Sequence, residues 1–369
     1  MMNFNMPVKL YTGRGCIAAH KDDIARFGKK CLIVTGAASA KKSGALDDVR
    51  SVLSELGISY EVFDGISQNP TVESCRLAGV RASEFGADFI FGIGGGSPLD
   101  ASKAVAVFAS NPGMDEDGLY SMNWPVNPVP VVLAGTTSGT GSEVTNVAVL
   151  TDSKHRKHSI HAAKTFAALS FGDPKYTYGI PRSITLSTGV DALAHCTESY
   201  FNKKANTLSR SFAISGINLI KTPLAKCARG EELSEEDREE LYEGSIFGGL
   251  AISITGTCFP HNVGYFLTEN HGIPHGFACA VYHPAYLAHC AKAAPEYTAE
   301  FEAETGLSLK EYNDLIYAVL PKFDVTLGED EIEILLPRWV NNSTVNNTPG
   351  GMEIGEIKAI LTDLFGKKK

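Results

Sequence analysis

A carboxylate and several imidazoles stand at spacings that could hold a metal ion. In Asp191-Ala-Leu-Ala-His195 the two groups lie four positions apart, which on a helix puts both on one face. Alone, such a pair more often makes a hydrogen bond along the helix than a set of ligands. Downstream, Phe259-Pro-His261-Asn-Val-Gly-Tyr265 and Ile273-Pro-His275-Gly276, with His271 between them, concentrate three of the ten histidines. One carboxylate and two or three histidines from separate elements match a first-row divalent site, and such donors suit Zn(II) at least as well as Fe(II). The other histidines read as ordinary: His20, His155, His158 and His161 lie in polar stretches, while His283 and His289 flank an apolar run.

Glycine-rich junctions supply a second kind of chemistry. Gly94-Gly95-Gly96-Ser97-Pro98-Leu99-Asp100 follows an apolar strand and opens a helix, with Ser97 as the expected N-cap and Pro98 in the first turn. The exposed N–H groups and helix dipole there suit a pyrophosphate, although the G-x-G-x-x-G spacing is absent. A second loop, Gly135 to Glu143, carries the hydroxyls of Thr136, Thr137, Thr140 and Ser142 and follows the strand Val129 to Leu133. Two such loops at the carboxyl ends of parallel strands define one crevice, and a ligand with phosphates and riboses accounts for both. After Val34-Thr35 comes Gly36, then Ser39, Lys41 and Lys42, with no acidic residue to bond ribose hydroxyls. That favours a 2′-phosphate, hence NADP(H) over NAD(H).

Proton transfer has two side-chain candidates. His261 and Tyr265 are four apart, so a helix that turns one toward a metal turns the other the same way. A phenol can relay a proton, but with an unperturbed pKa of about 10 it is a poorer base than imidazole. His271, expected in the loop before His275, is the other candidate, beside water and the ribose hydroxyls.

The elements that must position these groups change character along the chain. Cys31 to Thr35, Tyr60 to Phe63, Phe89 to Ile93 and Val129 to Leu133 read as strands, alternating with helices at Ala45 to Leu56, Thr71 to Phe85 and up to about Phe108. This alternation implies a parallel, Rossmann-like sheet covered on both faces. From about Ser183 long helical stretches take over: Ser187 to Phe201, Ser209 to Ala225 and Ser234 to Thr255. The expected organisation is a dinucleotide-binding α/β domain over residues 1–180 and an all-α, metal-binding domain over residues 181–369.

Composition narrows the partners. A formal charge of -9 excludes a general affinity for nucleic acid or anionic membrane. The sequence holds no apolar run of about 20 residues, so no membrane span is expected. Eight cysteines without a C-x-x-C pair read as buried free thiols, which suits the cytoplasm. Met6 to Tyr11 alternates apolar and polar residues as an exposed edge strand would, through which a homodimer could form.

Together these residues resemble the iron-containing, group III alcohol dehydrogenases, which include butanol dehydrogenases, lactaldehyde reductases and propanediol dehydrogenases. The similarity runs from Tyr11-Thr-Gly to Pro274-His275-Gly276. Its most specific parts are Gly94 to Asp100, Thr136 to Thr145, Thr188 to His195, and His261 with His275. The resemblance implies a dehydroquinate synthase-like architecture and Fe(II) or another divalent ion held by Asp191, His195, His261 and His275. It places Lys157 near the cofactor ribose, Asp100 at the phosphate-loop helix, and Thr145 and Thr188 in the cofactor-binding motifs. It also implies hydride transfer between NAD(P)(H) and a small alcohol or aldehyde. The sequence departs from the family at Tyr265, where many members have a second histidine, and at Ile252, where some have phenylalanine. The competing expectations are a non-redox enzyme on the same scaffold and a binding protein with a degenerate site.

Overall fold

The computed structural model describes residues 4–367. Contacts divide the chain into two units, one reaching Pro181 and including Ser234–Tyr242, the other made of Arg182–Leu233 and the chain from Glu243 onward. The 234–242 segment is tied to the first unit by Glu239, which accepts from Arg14 and Tyr178, and by Tyr242, which donates to Glu143.

Among the described residues, eight strands form in the first unit: β1 (Lys9–Thr12), β2 (Lys30–Thr35), β3 (Ser59–Phe63), β4 (Phe89–Gly94), β5 (Val131–Gly135), β6 (Val147–Thr151), β7 (Lys157–His161) and β8 (Leu169–Gly172). Six of them make a parallel sheet in the order β1-β8-β5-β4-β2-β3. Leu32, Val34, Ile90 and Leu133 point into one buried cluster, and Cys31, Ile33, Phe91 and Val132 into another. Both faces are therefore covered, which explains why the strands read as unbroken apolar runs. The Val72–Phe85 and Gly96–Ser110 helices cover the first face with Cys75, Ala78, Ala104 and Phe108. The Ala45–Glu55 helix covers the second with Leu46, Val49 and Leu53.

Several boundaries differ from expectation for identifiable reasons. Strand β5 starts at Val131 rather than Val129, because Pro130 has no N–H for the ladder. Of the expected edge strand Met6 to Tyr11, only Lys9 onward pairs, in parallel with β8. Strands β6 and β7, which the sequence did not announce, form a separate antiparallel pair. The phosphate-loop helix begins at Gly96 and is capped by Gly95 without a side-chain bond, so Ser97 is not its N-cap. Ser97 Oγ accepts the Asn69 N–H at 3.2 Å instead. Gly94, at φ 152°, lets the chain turn into the helix ahead of the serine.

The sheet order reverses at β2, which has β3 on one side and β4 on the other. Ligands of open α/β sheets bind at the carboxyl ends of strands flanking such a reversal, and here those ends are Thr35-Gly36 and Gly94.

The second unit is mostly helical, with long helices at Arg182–Phe201 and Thr207–Ala228. The first starts directly after Pro181, five residues earlier than expected, and the second is capped by Asn206. Shorter helices follow at Phe259–His271 and His275–Ala280. Among the described residues, no helix is long and apolar enough to cross a membrane.

Candidate active site

In the first unit the two glycine loops are fastened to each other. The Thr136 N–H donates to Gly94 O at 2.8 Å, and a Cβ on Gly96 would come within 2.5 Å of Thr140. Only glycine fits that approach. A Cβ on Gly95 would press less closely on Thr137, at 3.1 Å, and Thr140 Oγ1 accepts the Ser142 N–H at 3.3 Å. Two features remain for a ligand: the uncapped N-terminus of the Gly96–Ser110 helix, and Thr136 Oγ1, which is buried without a hydrogen-bond partner.

The other candidate residues of these loops hold one another. Ser142 Oγ donates to Asp100 Oδ1 at 2.6 Å, and Asp100 Oδ2 accepts the Val149 N–H at 2.9 Å. Lys103 Nζ donates to Ser142 Oγ at 2.8 Å, Val147 O at 2.8 Å and Thr145 Oγ1 at 3.3 Å. Burial pushes Asp100 above the usual carboxylate range and pushes Lys103 down to about 8. Lys157, on β7, lies near enough to favour the Asp100 charge. At the end of β2, Gly36 leads into the Ser39–Lys42 helix. Lys41 Nζ pairs there with Asp64 Oδ2 at 2.9 Å, so the fold brings in an acid that the local sequence does not show.

In the second unit, three helices bring together groups far apart in sequence. Asp191 and His195 lie on Arg182–Phe201, His261 and Tyr265 on Phe259–His271, and His275 and Cys279 on His275–Ala280. A Cβ on Gly276 would lie 1.9 Å from Ser187 O, so this glycine lets His275 press against the first helix. Asp191 Oδ1 is 3.5 Å from His261 Nε2 and 3.9 Å from His275 Nε2. Donor atoms of Asp191, His261, His275 and Cys279 all lie within 4.8 Å of one another. The His195 ring stacks on His261 with centroids 4.5 Å apart. Burial opposes the Asp191 charge, but the imidazoles of His195, His275 and His261 outweigh it and hold the carboxyl well below its usual range.

The remaining candidates surround this cluster unevenly. The Tyr265 ring lies parallel to His275, with centroids 5.4 Å apart. Thr188 Oγ1 donates back to Ile184 O at 3.0 Å, one turn before Asp191. His271 ends its helix rather than lying in a loop, and stands exposed and edge-on to Phe266.

Comparison with known proteins settles which family builds such a pair of units. Residues 7–174 match the iron-containing alcohol dehydrogenase family, and residues 185–331 match the C-terminal part of the Fe-containing alcohol dehydrogenase family. The 1,3-propanediol dehydrogenase of Klebsiella pneumoniae is 33% identical over 82% of this chain and 79% of its own. The NADPH-dependent butanol dehydrogenase of Clostridium saccharobutylicum is 28% identical over 99% of this chain and 98% of its own. The solved structure of an iron-containing alcohol dehydrogenase from Thermotoga maritima has a TM-score of 0.91 and 33% identity, covering 99% of each chain. The chain belongs to the iron-containing alcohol dehydrogenase family.

Whether the cluster fits the divalent ion that the family's name implies is tested by two atoms. Asp191 Oδ1 and His261 Nε2 are both buried and have no hydrogen-bond partner. Native interiors rarely leave such atoms unmatched, and an ion between them would satisfy both. The residues present therefore fit the group.

Sequence reasoning missed the groups behind this cluster. Glu198 Oε1 bonds His261 Nδ1 at 2.5 Å, and Glu198 Oε2 accepts the Cys258 N–H at 2.7 Å. Although burial opposes its charge, His261 and His283 hold Glu198 well below the usual carboxylate range. An ionised Glu198 can only accept, so the His261 proton sits on Nδ1 and Nε2 is left for the cluster. His283, read from sequence as ordinary, bonds Glu198 at 3.3 Å and Tyr312 at 3.0 Å, and Tyr312 bonds Thr197 at 2.8 Å. The available signal was Glu198's place three residues after His195, on the same helix face. Cys279, four residues after His275, and Lys103, three after Asp100, carried the same kind of spacing signal, while nothing local marks His283.

Proposed function

We propose that this chain is a metal-dependent alcohol dehydrogenase or aldehyde reductase that transfers a hydride between NAD(P)(H) and a small alcohol or aldehyde. The observation that carries this reading is the buried, unmatched pair Asp191 Oδ1 and His261 Nε2 within a four-donor cluster of an iron-type alcohol dehydrogenase chain. The proposed ligands are Asp191, His261 and His275 of that cluster together with His195, which is not among its four donors and stacks on His261, with Fe(II) in keeping with the family and Zn(II) equally suited by donor type. A bound divalent ion supplies Lewis-acid polarisation of the substrate oxygen, and the nicotinamide supplies the redox chemistry.

The protein's own groups do the rest. Glu198 fixes the His261 tautomer, and the ionised Asp191 needs no deprotonation before it binds a cation. Tyr265 holds the plane of His275 and presents a hydroxyl for proton relay, with His271 as a solvent-side alternative. The uncapped helix at Gly94, Gly95, Gly96 and Ser97 binds pyrophosphate, and the hydroxyls of Thr136, Thr137 and Thr140 approach the rest of the dinucleotide. Asp100, Ser142, Thr145 and Lys103 hold that loop in shape, with Lys157 on the ribose side, and Thr188 is the further cofactor-binding residue that the family resemblance implies. Gly36, Ser39, Lys41 and Lys42 receive a 2′-phosphate, which favours NADP(H). Strand β1, at the sheet edge, supports a homodimer, and eight free, buried cysteines suit a cytoplasmic setting.

The test is nicotinamide absorbance with a panel of small aldehydes and alcohols, using anaerobically prepared Fe(II) and Zn(II) enzyme. Turnover with some member of the panel is expected. Its absence with every member under both metals would overturn the reading.

A further inference from the structure

The donor cluster contains a group that the assigned ligand set leaves out. Cys279 lies one helical turn after His275 and is fully buried, yet its thiol is turned into the cluster. Its Sγ stands 3.6 Å from His275 Nδ1 and 3.7 Å from His275 Nε2. Being almost equally far from both nitrogens, it is not aimed along the lone pair of either, as a simple S–H···N bond would be.

The spacings have another meaning. With metal–nitrogen and metal–oxygen bonds of about 2.0–2.2 Å and metal–sulfur bonds of about 2.3 Å, tetrahedral ligand atoms sit about 3.3–3.7 Å apart. Three of the cluster's donor-to-donor edges are 3.5 Å (His261 Nε2 to Asp191), 3.9 Å (His275 Nε2 to Asp191) and 3.7 Å (Cys279 Sγ to the same His275 Nε2), and all four donors lie within 4.8 Å of one another. Those three edges are ligand-to-ligand distances within a few tenths of an ångström. Independently, Asp191 Oδ1 and His261 Nε2 are buried in the same cluster without hydrogen-bond partners.

We infer that Cys279 Sγ is a ligand of the divalent ion, giving the site a sulfur donor beside its oxygen and nitrogens. The inference rests on the proposed reading of the cluster as a metal site. On binding, the Sγ–H bond breaks, a sulfur–metal bond forms, and the proton leaves to solvent; no electrons are exchanged. A thiolate is a softer donor than carboxylate or imidazole, so the chain's preference moves from Fe(II) toward Zn(II).

Cobalt(II) makes this visible. Metal-free full-length protein, its Cys279→Ser variant and its Cys279→Ala variant are titrated anaerobically with Co(II), with circular dichroism as the check on folding. Visible ligand-field bands report occupancy, and a near-ultraviolet sulfur-to-cobalt charge-transfer band reports the thiolate. The wild-type protein should show both, and each variant should keep the visible bands and lose the ultraviolet one. By chelator competition, Cys279→Ala should also weaken Zn(II) binding by more than about tenfold, and Fe(II) binding by less. Visible bands without the charge-transfer band in the wild type would overturn the inference and leave the metal reading intact, as would a band that persists in both variants. Failure of wild-type protein to bind Co(II) at all would overturn both.

Discussion

Each unit buries a cluster of charged side chains, and the two clusters differ in how completely their polar atoms are matched. In the first, Lys103 Nζ has three acceptors, Asp100 has donors on both oxygens, and the Ser142 hydroxyl both gives and receives. In the second, the outer atoms are matched, with Glu198 holding His261 Nδ1, while the inward-facing Asp191 Oδ1 and His261 Nε2 are not. A closed network has nothing left to offer a ligand and acts as a brace. An open one carries a standing cost in the free protein that a cation removes on binding. The satisfaction of individual atoms, more than residue type, separates structure from function here, since both clusters contain an aspartate and a cation-forming side chain.

The comparison predicts opposite responses to truncation. His275→Ala in the open cluster should lower activity by about a thousandfold, as expected if roughly 4 kcal/mol of charge stabilisation is lost. Metal content by elemental analysis should fall well below one per chain, while the stability of the metal-free protein moves by less than about 2 kcal/mol. Full occupancy in that variant would break the assignment. Glu198→Gln, one bond further out, should weaken metal binding by a smaller factor, about 10- to 100-fold.

In the closed cluster, Lys103→Met should instead cost about 3–5 kcal/mol in urea unfolding, because it strands Asp100 and Glu143 without their cation. Its pH dependence is specific. The folded value of about 8 lies below the ordinary 10.5, so between them the unfolded chain binds more protons at this site. Stability contributed through Lys103 therefore rises with pH across that window, by at most about 1.4 kcal/mol per pH unit. The gap between wild type and Lys103→Met should widen from pH 8 to pH 10.5. A gap that narrows there would show that Lys103 is not held as the brace requires.

The smallest effect tests the edge of the first cluster's loop system. Lys41 and Asp64 form an exposed pair of the kind worth about 0.2–1 kcal/mol, so Asp64→Asn should free Lys41 for a 2′-phosphate. The ratio of kcat/KM for NADPH over NADH should rise by no more than about fivefold. An unchanged ratio would remove Lys41 from cofactor selection.

What the sequence determined by itself was whatever depends on neighbours along the chain. Unbroken apolar strands alternating with helices gave the parallel, doubly covered sheet, and the glycine runs ending β4 and β5 marked the carboxyl edge of that sheet. The spacings in Asp191 to His195 and His261 to Tyr265 gave helix faces. Tertiary structure decided which groups meet. Asp64 reaches Lys41 because β3 pairs with β2 across the sheet, and Lys103 finds Ser142 and Thr145 only when the second loop folds onto its helix. Glu198 and Cys279 share helices with Asp191 and His275, but they meet His261 and His283 only where separate helices pack, with close approach at Gly276 setting the distances. Spacing along a helix fixes direction, but the distance between two helices is set by the side chains packed between them, and no local pattern records that.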